Sequence, residues 1–251
     1  MNSAPRKKER IDKLIVEQGL VSTRARAQAM ILAGHVIVND VPVTKAGEMV
    51  ALNSTIRLRE PELKYVSRGA LKLKAALEAF SVSSKGKICI DIGSSTGGFT
   101  EILLEGGALR VHALDSGSNQ LAWKLRNDAR VHSQENFNAR HLKPEDLKEQ
   151  PEVLVMDVSF ISIKLILPAA VNVLAPHSDL VVLFKPQFEV GREWVGEGGI
   201  VKDQEHAKKV REEVIRWAEC LGLRHCGTID SPIQGTDGNH EYLIHWKARD
   251  K

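Results

Sequence analysis

Four ionisable residues that could take part in catalysis occur at distinctive places in the chain. Asp157 follows the apolar run Val-Leu-Val-Met, Lys185 follows Leu-Val-Val-Leu-Phe, and Glu241 precedes Tyr-Leu-Ile-His-Trp. If the first two runs are parallel strands and the third is antiparallel to them, the three charges share the sheet edge where α/β proteins bind ligands. Lys72, in a helix-like stretch, could reach the same edge. A single charge at a strand end is more often only solvated, but two cations beside two carboxylates could activate a poor nucleophile such as a hydroxyl.

A glycine-rich segment, Asp91-Ile-Gly-Ser-Ser-Thr-Gly-Gly-Phe99, lies between a strand pattern and a helix pattern. Glycines there let the backbone approach a ligand, and the start of the helix presents free N–H groups. A dinucleotide-binding loop has glycines at offsets 0, 2 and 5; Gly93 and Gly98 fit the ends, but Ser95 occupies the middle. The acidic residue that opens the segment suits a cationic ligand better than a pyrophosphate. Asp115, at the end of the next strand pattern, could accept hydrogen bonds from ribose hydroxyls.

Strand and helix patterns alternate after residue 67, where Ser67 could cap the first helix. They predict strands at 87–92, 111–115, 130–133, 153–158 and 180–185, and helices at 67–80, 98–105, 163–174 and 204–220. This alternation is typical of an α/β fold with a mostly parallel sheet and helices on both faces. Only a turn-rich loop separates the last two strand patterns, 224–229 and 242–246, which predicts an antiparallel hairpin at the end of the sheet.

The first part of the chain predicts a small α+β domain. A helix fits residues 10–17, and a second helix begins with Ser22 or Thr23 as its N-cap and ends near Gly34. Two short β runs flank Asn39-Asp40, a plausible hairpin turn, and residues 55–59 could return as a third strand.

Charge separates the two parts of the chain. The net charge is +3, but residues 1–74 contain 14 Lys and Arg against 7 Asp and Glu, so this part carries +7 and the remainder −4. A basic front end suggests a polyanionic partner, although basic surfaces are often only solvated faces. The predicted organisation is a basic domain at 1–59 with a disordered tail at 1–8, a linker at 60–66 and the α/β domain at 67–251.

Composition excludes several other classes of protein. Hydrophobic residues make up 43% and charged residues 27%, as in ordinary soluble proteins, and the weakly polar stretch 165–175 is too short to span a bilayer. No apolar segment follows the basic N-terminus, so a secretory signal is not expected. The three cysteines, Cys89, Cys220 and Cys226, are an odd number without CxxC spacing. We therefore expect no disulfide, no metal site and a cytoplasmic location, with Cys89 as a buried thiol.

The basic domain resembles a known RNA-binding module, the S4-like domain shared by a ribosomal small-subunit protein, tyrosyl-tRNA synthetases and many pseudouridine synthases. The resemblance rests on Arg10-Ile-Asp-Lys-Leu14, Ser22-Thr-Arg-Ala-Arg26, Ala29 and Gly34-His-Val-Ile-Val-Asn39. It implies that Arg24, Arg26 and Lys45 contact RNA phosphates, which would give affinity with little sequence information. The alternative is that these are only exposed charges on a packing domain.

The glycine-rich segment resembles that of class I (Rossmann-like) methyltransferases, which use S-adenosyl-L-methionine, and most specifically their FtsJ-type branch. The resemblance implies that the methionine part is held by the loop residues, namely Asp91, Gly93, Ser94, Ser95, Thr96, Gly97, Gly98 and Phe99. It also implies that Asp115 binds the ribose, that Asn136 lies near the adenine and that Asp157 helps to position the methyl donor.

The set Lys72, Asp157, Lys185 and Glu241 matches the catalytic tetrad of FtsJ-like ribose 2′-O-methyltransferases in order and local context. The order of modules, with Tyr65-Val-Ser-Arg-Gly-Ala-Leu-Lys-Leu73 at the junction, resembles the TlyA family over nearly the whole chain. Members of this family carry haemolysin names but methylate cytidines in ribosomal RNA of the large and sometimes the small subunit. The resemblance implies ribosomal RNA as the partner, with Lys185 stabilising the developing alkoxide.

Three further residues are expected to contact RNA: Arg68, Arg192 and Trp194. The last two belong to a glycine-rich segment after Lys185, which could be a mobile substrate loop in which Trp194 stacks on a base, or a loop that packs this indole into the core. Three other functions agree less well with the sequence. A pore-forming haemolysin would need a membrane segment, and the sequence shows none. A pseudouridine synthase would not need the methyltransferase-type loop, and a non-catalytic ribosome-binding factor would not need the tetrad.

Overall fold

The structure is a computed structural model that describes residues 7–21, 23–32, 34–59, 64–235 and 238–249. It comprises two compact units that divide between Lys64 and Tyr65. The predicted linker at 60–66 spans this division, and its residues 60–63 lie outside the described residues, as do residues 1–6 of the predicted tail and the candidate cap Ser22.

The N-terminal unit contains two helices and two small antiparallel sheets. Its elements are β1 (Lys8–Arg10), α1 (Ile11–Glu17), α2 (Arg24–Leu32), β2 (Val36–Val38), β3 (Val41–Val43), β4 (Met49–Ala51) and β5 (Ile56–Leu58). Strand β2 lies between β3 and β5, and β1 pairs with β4. Asn39 and Asp40 have φ values of 48° and 66°, as a two-residue hairpin turn requires. The Thr23 hydroxyl accepts the Arg26 N–H at 3.3 Å and so caps α2.

Two residues of the predicted disordered tail, Lys7 and Lys8, take part in the fold of the N-terminal unit. Lys8 pairs with Ala51 in the β1–β4 ladder, and the Leu52 N–H donates to the Lys7 carbonyl at 3.1 Å. The charged sequence of this segment does not predict the strand, because its hydrogen-bond partner lies about forty residues along the chain.

The second unit is built on a seven-stranded sheet. Its elements are α3 (Gly69–Phe80), β6 (Ile88–Ile92), α4 (Gly98–Glu105), β7 (Arg110–Leu114), α5 (Trp123–Arg126), β8 (Val131–Gln134), β9 (Val153–Met156), α6 (Leu167–Asn172), β10 (Asp179–Phe184), α7 (Gln204–Glu219), β11 (Leu223–Asp230) and β12 (Tyr242–Ala248). The strand order is β11-β12-β10-β9-β6-β7-β8; β12 runs antiparallel to both of its neighbours, β10 and β11, and every other neighbouring pair is parallel. The order reverses beside β6, which opens a crevice at the carboxyl ends of β6 and β9.

Apolar side chains fill both faces of this sheet. On one face α3 and α4 pack through Leu73, Ala76 and Leu103, and on the other α6 and α7 pack through Leu167 and Val214. Cys89 is fully buried in the first of these clusters, as expected for a core thiol, and burial raises its pKa to about 12. No helix in the part of the chain that the structure describes is both long and apolar enough to cross a membrane.

Two predicted helices differ in detail. Arg68, not Ser67, is the N-cap of α3, and it makes no side-chain capping hydrogen bond. The helix predicted at 163–174 is a 3-10 turn, Ile163–Leu165, followed by the short α6. Pro168 lies in the first turn of α6, where its missing N–H is tolerated, and so marks a new helix start.

A charged cluster holds β10 at its amino end. The Asp179 carboxylate is 2.8 Å from His245 Nε2 and 3.1 Å from Lys247 Nζ, both on the neighbouring β12, and 3.6 Å from Lys87 Nζ. Burial by itself would raise the pKa of Asp179, but the hydrogen bonds from His245 and Lys247 outweigh it and lower the pKa from 3.8 to about 2. The ionised carboxylate therefore stabilises the folded state.

We expect Asp179→Asn to lower the free energy of unfolding by about 2 kcal/mol at pH 7, from the shift of the pKa between the unfolded and folded states. This stabilisation is complete above pH 3.8 and disappears as the pH falls through about 2, so the difference from wild type should shrink over that interval. Urea unfolding at several pH values measures it, with the exposed Glu213→Gln as control. A difference that stays constant between pH 7 and pH 2 would contradict this role.

Candidate active site

The four predicted catalytic residues line one cavity at the carboxyl edge of the sheet. Its volume is about 230 Å³, and its walls come from α3, the glycine-rich loop, the ends of β9 and β10, and the segment before β12. The lining residues are Ser67, Arg68, Gly69, Lys72, Gly93, Ser94, Ser95, Thr96, Gly98, Phe99, Asp157, Lys185, Ile233, Gln234 and Glu241. The sheet topology thus brings together residues separated by up to 169 positions.

Strand pairing explains how three of the four charges meet. Asp157 directly follows β9 and Lys185 directly follows β10, and these two strands are parallel neighbours. Phe184 pairs with Tyr242 in the antiparallel β10–β12 ladder, so Glu241 lies beside Lys185 at the same edge. Lys72 projects from α3, whose apolar face packs on the sheet.

The charges form two ion pairs. Lys185 Nζ lies 2.6 Å from Asp157 Oδ1 and donates a hydrogen bond to Ser159 Oγ at 2.8 Å. Lys72 Nζ is bonded to the Glu241 carboxylate, and both of these residues are buried, with 8% and 4% of their surface exposed. Buried charges are tolerated when they are paired, because the partner offsets part of the cost of leaving water. Asp157 Oδ1 lies within ion-pair distance of Lys185 Nζ, but the angles of this contact are not those of a hydrogen bond.

A glycine is required at position 93. Its φ is +83°, and a Cβ there would lie 2.3 Å from the Asp157 carbonyl oxygen. Gly97 is the N-cap of α4 with φ +99°, and a Cβ at Gly98 would lie 2.2 Å from Ser67 Oγ. The glycines therefore allow the loop to pack closely against the residue after β9, the start of α3 and the region of α5.

A second and larger cavity, about 750 Å³, adjoins the first and shares Gly93, Ser95 and Asp157 with it. Asp115, Asn136 and Phe137 also line it. The remaining lining residues are Ile92, Leu114, Ser116, Gln120, Asn138, Ala139, Arg140, Val158, Ser159, Phe160, Ile161 and Ile166. Its volume is in the range of pockets that hold drug-sized ligands, roughly 300–1,000 Å³.

The Asp115 carboxylate is anchored by the loops around it. It accepts the Ser95 N–H and the Gly117 N–H, each at 2.7 Å, through different oxygens. An ionised carboxylate has about four acceptor sites, so two of them stay available for ligand hydroxyls. A carboxylate held in this way and facing a cavity suits a ribose.

Asp91 does not lie where its predicted role requires. It is fully buried beneath the loop and lines neither cavity. Its Oδ2 accepts the Thr100 hydroxyl at 2.7 Å, and burial raises its pKa to about 7. Its side chain points from β6 toward α4, so its contacts tie the strand to the helix. Gly97 also lines neither cavity, because its Cα faces Leu125.

Among the predicted RNA contacts in this unit, Arg68 is exposed at the first cavity and Arg192 is exposed on a 3-10 turn. Trp194 is not packed into the core: its ring stacks on His206 at 3.8 Å, and 41% of its surface is exposed. The segment around it contains two 3-10 turns and a Val195–Val201 bridge. The glycines of this segment predict an open loop, whereas these turns and the bridge give it local structure.

The basic residues of the N-terminal unit differ in their partners. Arg24 donates to the fully buried Asp12 carboxylate at 3.1 Å, and Arg10 and Gln28 donate to the same group. The hydrogen bonds of this network, led by that of Arg10, hold the pKa of Asp12 well below its usual range. Arg26 and Lys45 are exposed.

The structure also reveals residues that sequence reasoning missed. Ser159 contacts Lys185, and Phe160 follows it with 92% of its surface exposed and a φ of +64°. A bulky residue rarely adopts this backbone conformation, and such strain is concentrated at functional sites. The Asp-Val-Ser-Phe sequence contained both residues, but nothing in its pattern showed the bend after β9.

The parallel sheet with its antiparallel terminal hairpin, the glycine loop after β6 and the two adjoining cavities define a class I methyltransferase domain. Within the described ranges, no group of three or more His, Cys, Asp or Glu residues could hold a metal ion. A solved methyltransferase structure from Listeria monocytogenes shares the fold at 13% identity, with a TM-score of 0.54, over 71% of this chain and 100% of that chain.

Comparison with known proteins identifies the family. The FtsJ-like methyltransferase family matches residues 65–248, and the S4 domain family matches residues 9–56. The chain belongs to the FtsJ-like methyltransferases and, among them, to the TlyA family that joins this domain to an S4 domain.

The curated relatives span nearly the whole chain. YqxC of Bacillus subtilis, provisionally described as an rRNA methyltransferase, is 49% identical over 95% of this chain and 85% of its own length. The Mycobacterium tuberculosis 16S/23S rRNA (cytidine-2′-O)-methyltransferase TlyA is 43% identical over 95% of this chain and 89% of its own length. A solved structure from Streptococcus thermophilus, provisionally termed a hemolysin, is 44% identical with a TM-score of 0.76, over 98% of this chain and 90% of that chain.

We expect Gly93→Ala to destabilise the protein by about 3 kcal/mol, because a side chain in the left-handed region costs about 1–2 kcal/mol and overpacking adds about 1–3 kcal/mol. Gly222→Ala is the matched control, since Gly222 has φ +78° but no atom within 4 Å of its Cβ position. Gly222→Ala should lower the free energy of unfolding only by the cost of the left-handed backbone conformation, about 1–2 kcal/mol. Chemical denaturation of both variants measures this difference, and equal losses would show that contact with Asp157 is unimportant.

Proposed function

We propose that this protein transfers a methyl group from S-adenosyl-L-methionine to the 2′-hydroxyl of cytidine in ribosomal RNA. The observation that carries the proposal is the placement of Lys185, Asp157 and Ser159 where the two cavities meet. One cavity can hold a nucleoside-like donor, and the other is lined by two lysines and two carboxylates. The names of the TlyA relatives supply the acceptor class, cytidine in rRNA.

The residues present fit S-adenosyl-L-methionine. Asp115 retains free acceptor sites for the ribose hydroxyls, and Asn136 lines the same cavity and could lie near the adenine. The methionine part would be held by the loop residues that line the smaller cavity, namely Gly93, Ser94, Ser95, Thr96, Gly98 and Phe99. When bound, the cofactor supplies an electrophilic methyl group. Asp91 contributes indirectly, by fixing α4 through Thr100.

Lys185 is the residue that acts on the acceptor hydroxyl. A hydroxyl is a weak nucleophile, so the negative charge that develops on its oxygen must be stabilised as its proton passes to solvent. Lys185 Nζ is held by Asp157 and Ser159 at fixed short distances, so it needs little reorganisation to provide this stabilisation. The side chain of Asp157 borders both cavities and thereby relates the donor to the acceptor.

The Lys72–Glu241 pair forms another part of the wall of the smaller cavity. Both groups are buried and mutually neutralised, so they add polarity to the wall with little net charge. A wall of this kind can orient a ribose by hydrogen bonding without competing with Lys185 for the reacting oxygen.

RNA binding is assigned to exposed cations of both units. Arg26 and Lys45 of the S4 domain meet phosphates, and Arg68 and Arg192 do the same near the catalytic cavity. Trp194 offers the ring face that is not covered by His206 to a base. With ribosomal subunits as partners, the reaction takes place in the cytoplasm.

We expect Lys185→Ala to lower methyl transfer by at least about 100-fold, because it removes a charge that acts on the reacting oxygen. Binding of S-adenosyl-L-methionine should change little, since the groups proposed to hold it are Asp115, Asn136 and the glycine loop and not Lys185. The test uses radiolabelled cofactor, ribosomal subunits or rRNA from a strain that lacks the enzyme, and digestion to nucleosides. The exposed Lys208→Ala is the control.

Label released as 2′-O-methylcytidine with wild type and Lys208→Ala, but not with Lys185→Ala, would support the proposal. Full activity of Lys185→Ala would refute its role. A wild-type protein that binds cofactor and ribosomes but labels no RNA would instead indicate a ribosome-binding factor.

Arg26→Ala and Arg24→Ala should separate RNA affinity from stability. Loss of one phosphate contact at Arg26 should reduce the slope of log K against log salt by about 0.7–0.9 and leave unfolding unchanged within about 0.5 kcal/mol. Arg24→Ala should also lower stability by up to about 1 kcal/mol, because the buried Asp12 loses a donor. Salt-titrated RNA binding and thermal unfolding measure the two effects, and an unchanged salt slope for Arg26→Ala would remove that residue from the interface.

A further inference from the structure

Two loops carry the groups that surround the acceptor site, and they touch at two points. One loop leads from Asp157 to Ile163 after β9, and the other leads from Lys185 to Glu189 after β10. At their near ends the loops are joined by the Lys185–Asp157 ion pair and the Lys185–Ser159 hydrogen bond. This first connection belongs to the catalytic group itself.

The second connection is a fork made by Glu189. Its Oε2 accepts the Ser162 hydroxyl at 2.7 Å, and its Oε1 accepts the Ile163 N–H at 2.8 Å. Both contacts lie 26 or 27 positions away in sequence, and both are partly shielded from solvent. Hydrogen bonds to an ionised carboxylate are stronger than those between neutral groups, so this fork is a firm attachment.

Between the two connections lies Phe160. Its backbone is in the left-handed region, its ring is almost fully exposed, and its only ring contact among the described residues is with Phe188, at 5.3 Å. A conformation of this kind persists only where the surrounding structure enforces it. Phe188 directly precedes Glu189, so the ring contact of Phe188 and the hydrogen bonds of Glu189 both act on the bend that exposes Phe160.

We infer that Glu189 is a positioning residue, which holds the loop after β9 so that Phe160 and Ser159 face the acceptor nucleotide. The inference rests on the proposed function, since it concerns the same acceptor site. Glu189 itself touches neither cavity, so it acts through Ser162 and Ile163. The same loop also lines the larger cavity through Ser159, Phe160 and Ile161, so this wall of the donor site depends on the fork, whereas Asp115 and Asn136, after β7 and β8, should keep their places.

Burial makes this fork sensitive to substitution. Burial raises the pKa of Glu189, while the hydrogen bonds from Ser162 and Ile163 and the charge of Lys164 oppose the shift. A glutamine keeps one acceptor oxygen for the Ile163 N–H but presents an NH₂ group where the second acceptor was. Glu189→Gln should therefore retain part of the effect, and Glu189→Ala should lose all of it.

The test compares Glu189→Ala, Glu189→Gln and Ser162→Ala with the exposed Glu205→Ala. We expect kcat for RNA methylation at saturating cofactor to fall on the order of 10- to 100-fold in Glu189→Ala and by less in Glu189→Gln, and cofactor Kd to weaken because the loop also lines the donor cavity. Adding Ser162→Ala to Glu189→Ala should cause no further loss, since both remove the same contact. An unchanged kcat at saturating cofactor, or additive losses, would overturn the inference.

Amide hydrogen exchange separates this inference from the proposed function. In Glu189→Ala, peptides covering residues 158–165 should exchange faster, while peptides from β9 and β10 keep their wild-type protection. If wild type methylates no RNA, the proposed function fails and the exchange data decide on the fork. Unchanged exchange at Ile163 in Glu189→Ala would overturn it.

Discussion

The contact between the Gly93 backbone and the Asp157 carbonyl is the constraint on which the site depends. A Cβ at position 93 would come within 2.3 Å of that oxygen, so the carboxyl ends of β6 and β9 can approach this closely only with glycine at position 93. The approach places the glycine loop against the first residue after β9. It therefore fixes the donor cavity and the acceptor cavity on either side of one side chain, that of Asp157.

Much of this arrangement could be predicted from the sequence. Apolar runs located the seven strands of the large sheet within one or two residues, and the antiparallel terminal hairpin was predicted from the lack of a helix between its strands. The meeting of Lys72, Asp157, Lys185 and Glu241 also followed from strand direction, because carboxyl ends of parallel strands share one edge. These features depend on patterns that are local in the chain.

The errors concern side-chain direction and non-local pairing. Asp91 has the residue type expected of a ligand contact, but the alternation of the strand turns its side chain toward α4. The β1–β4 pair and the stacking of Trp194 on His206 join segments whose partners no local pattern identifies. Ser159 and Phe160 were missed for the same reason, since the bend after β9 is set by contacts with a different loop.

Strand β10 is buried along its whole length and carries charge only at its ends: Asp179 begins it, and Lys185 follows it. The residues between these two ends are all apolar and buried, so no titratable group lies between the two charges. Buried ion clusters can often be replaced by well-packed apolar groups without loss of stability. An engineer who wants a hardier enzyme could therefore redesign the amino end of this strand as a stability module and leave the reactive end untouched.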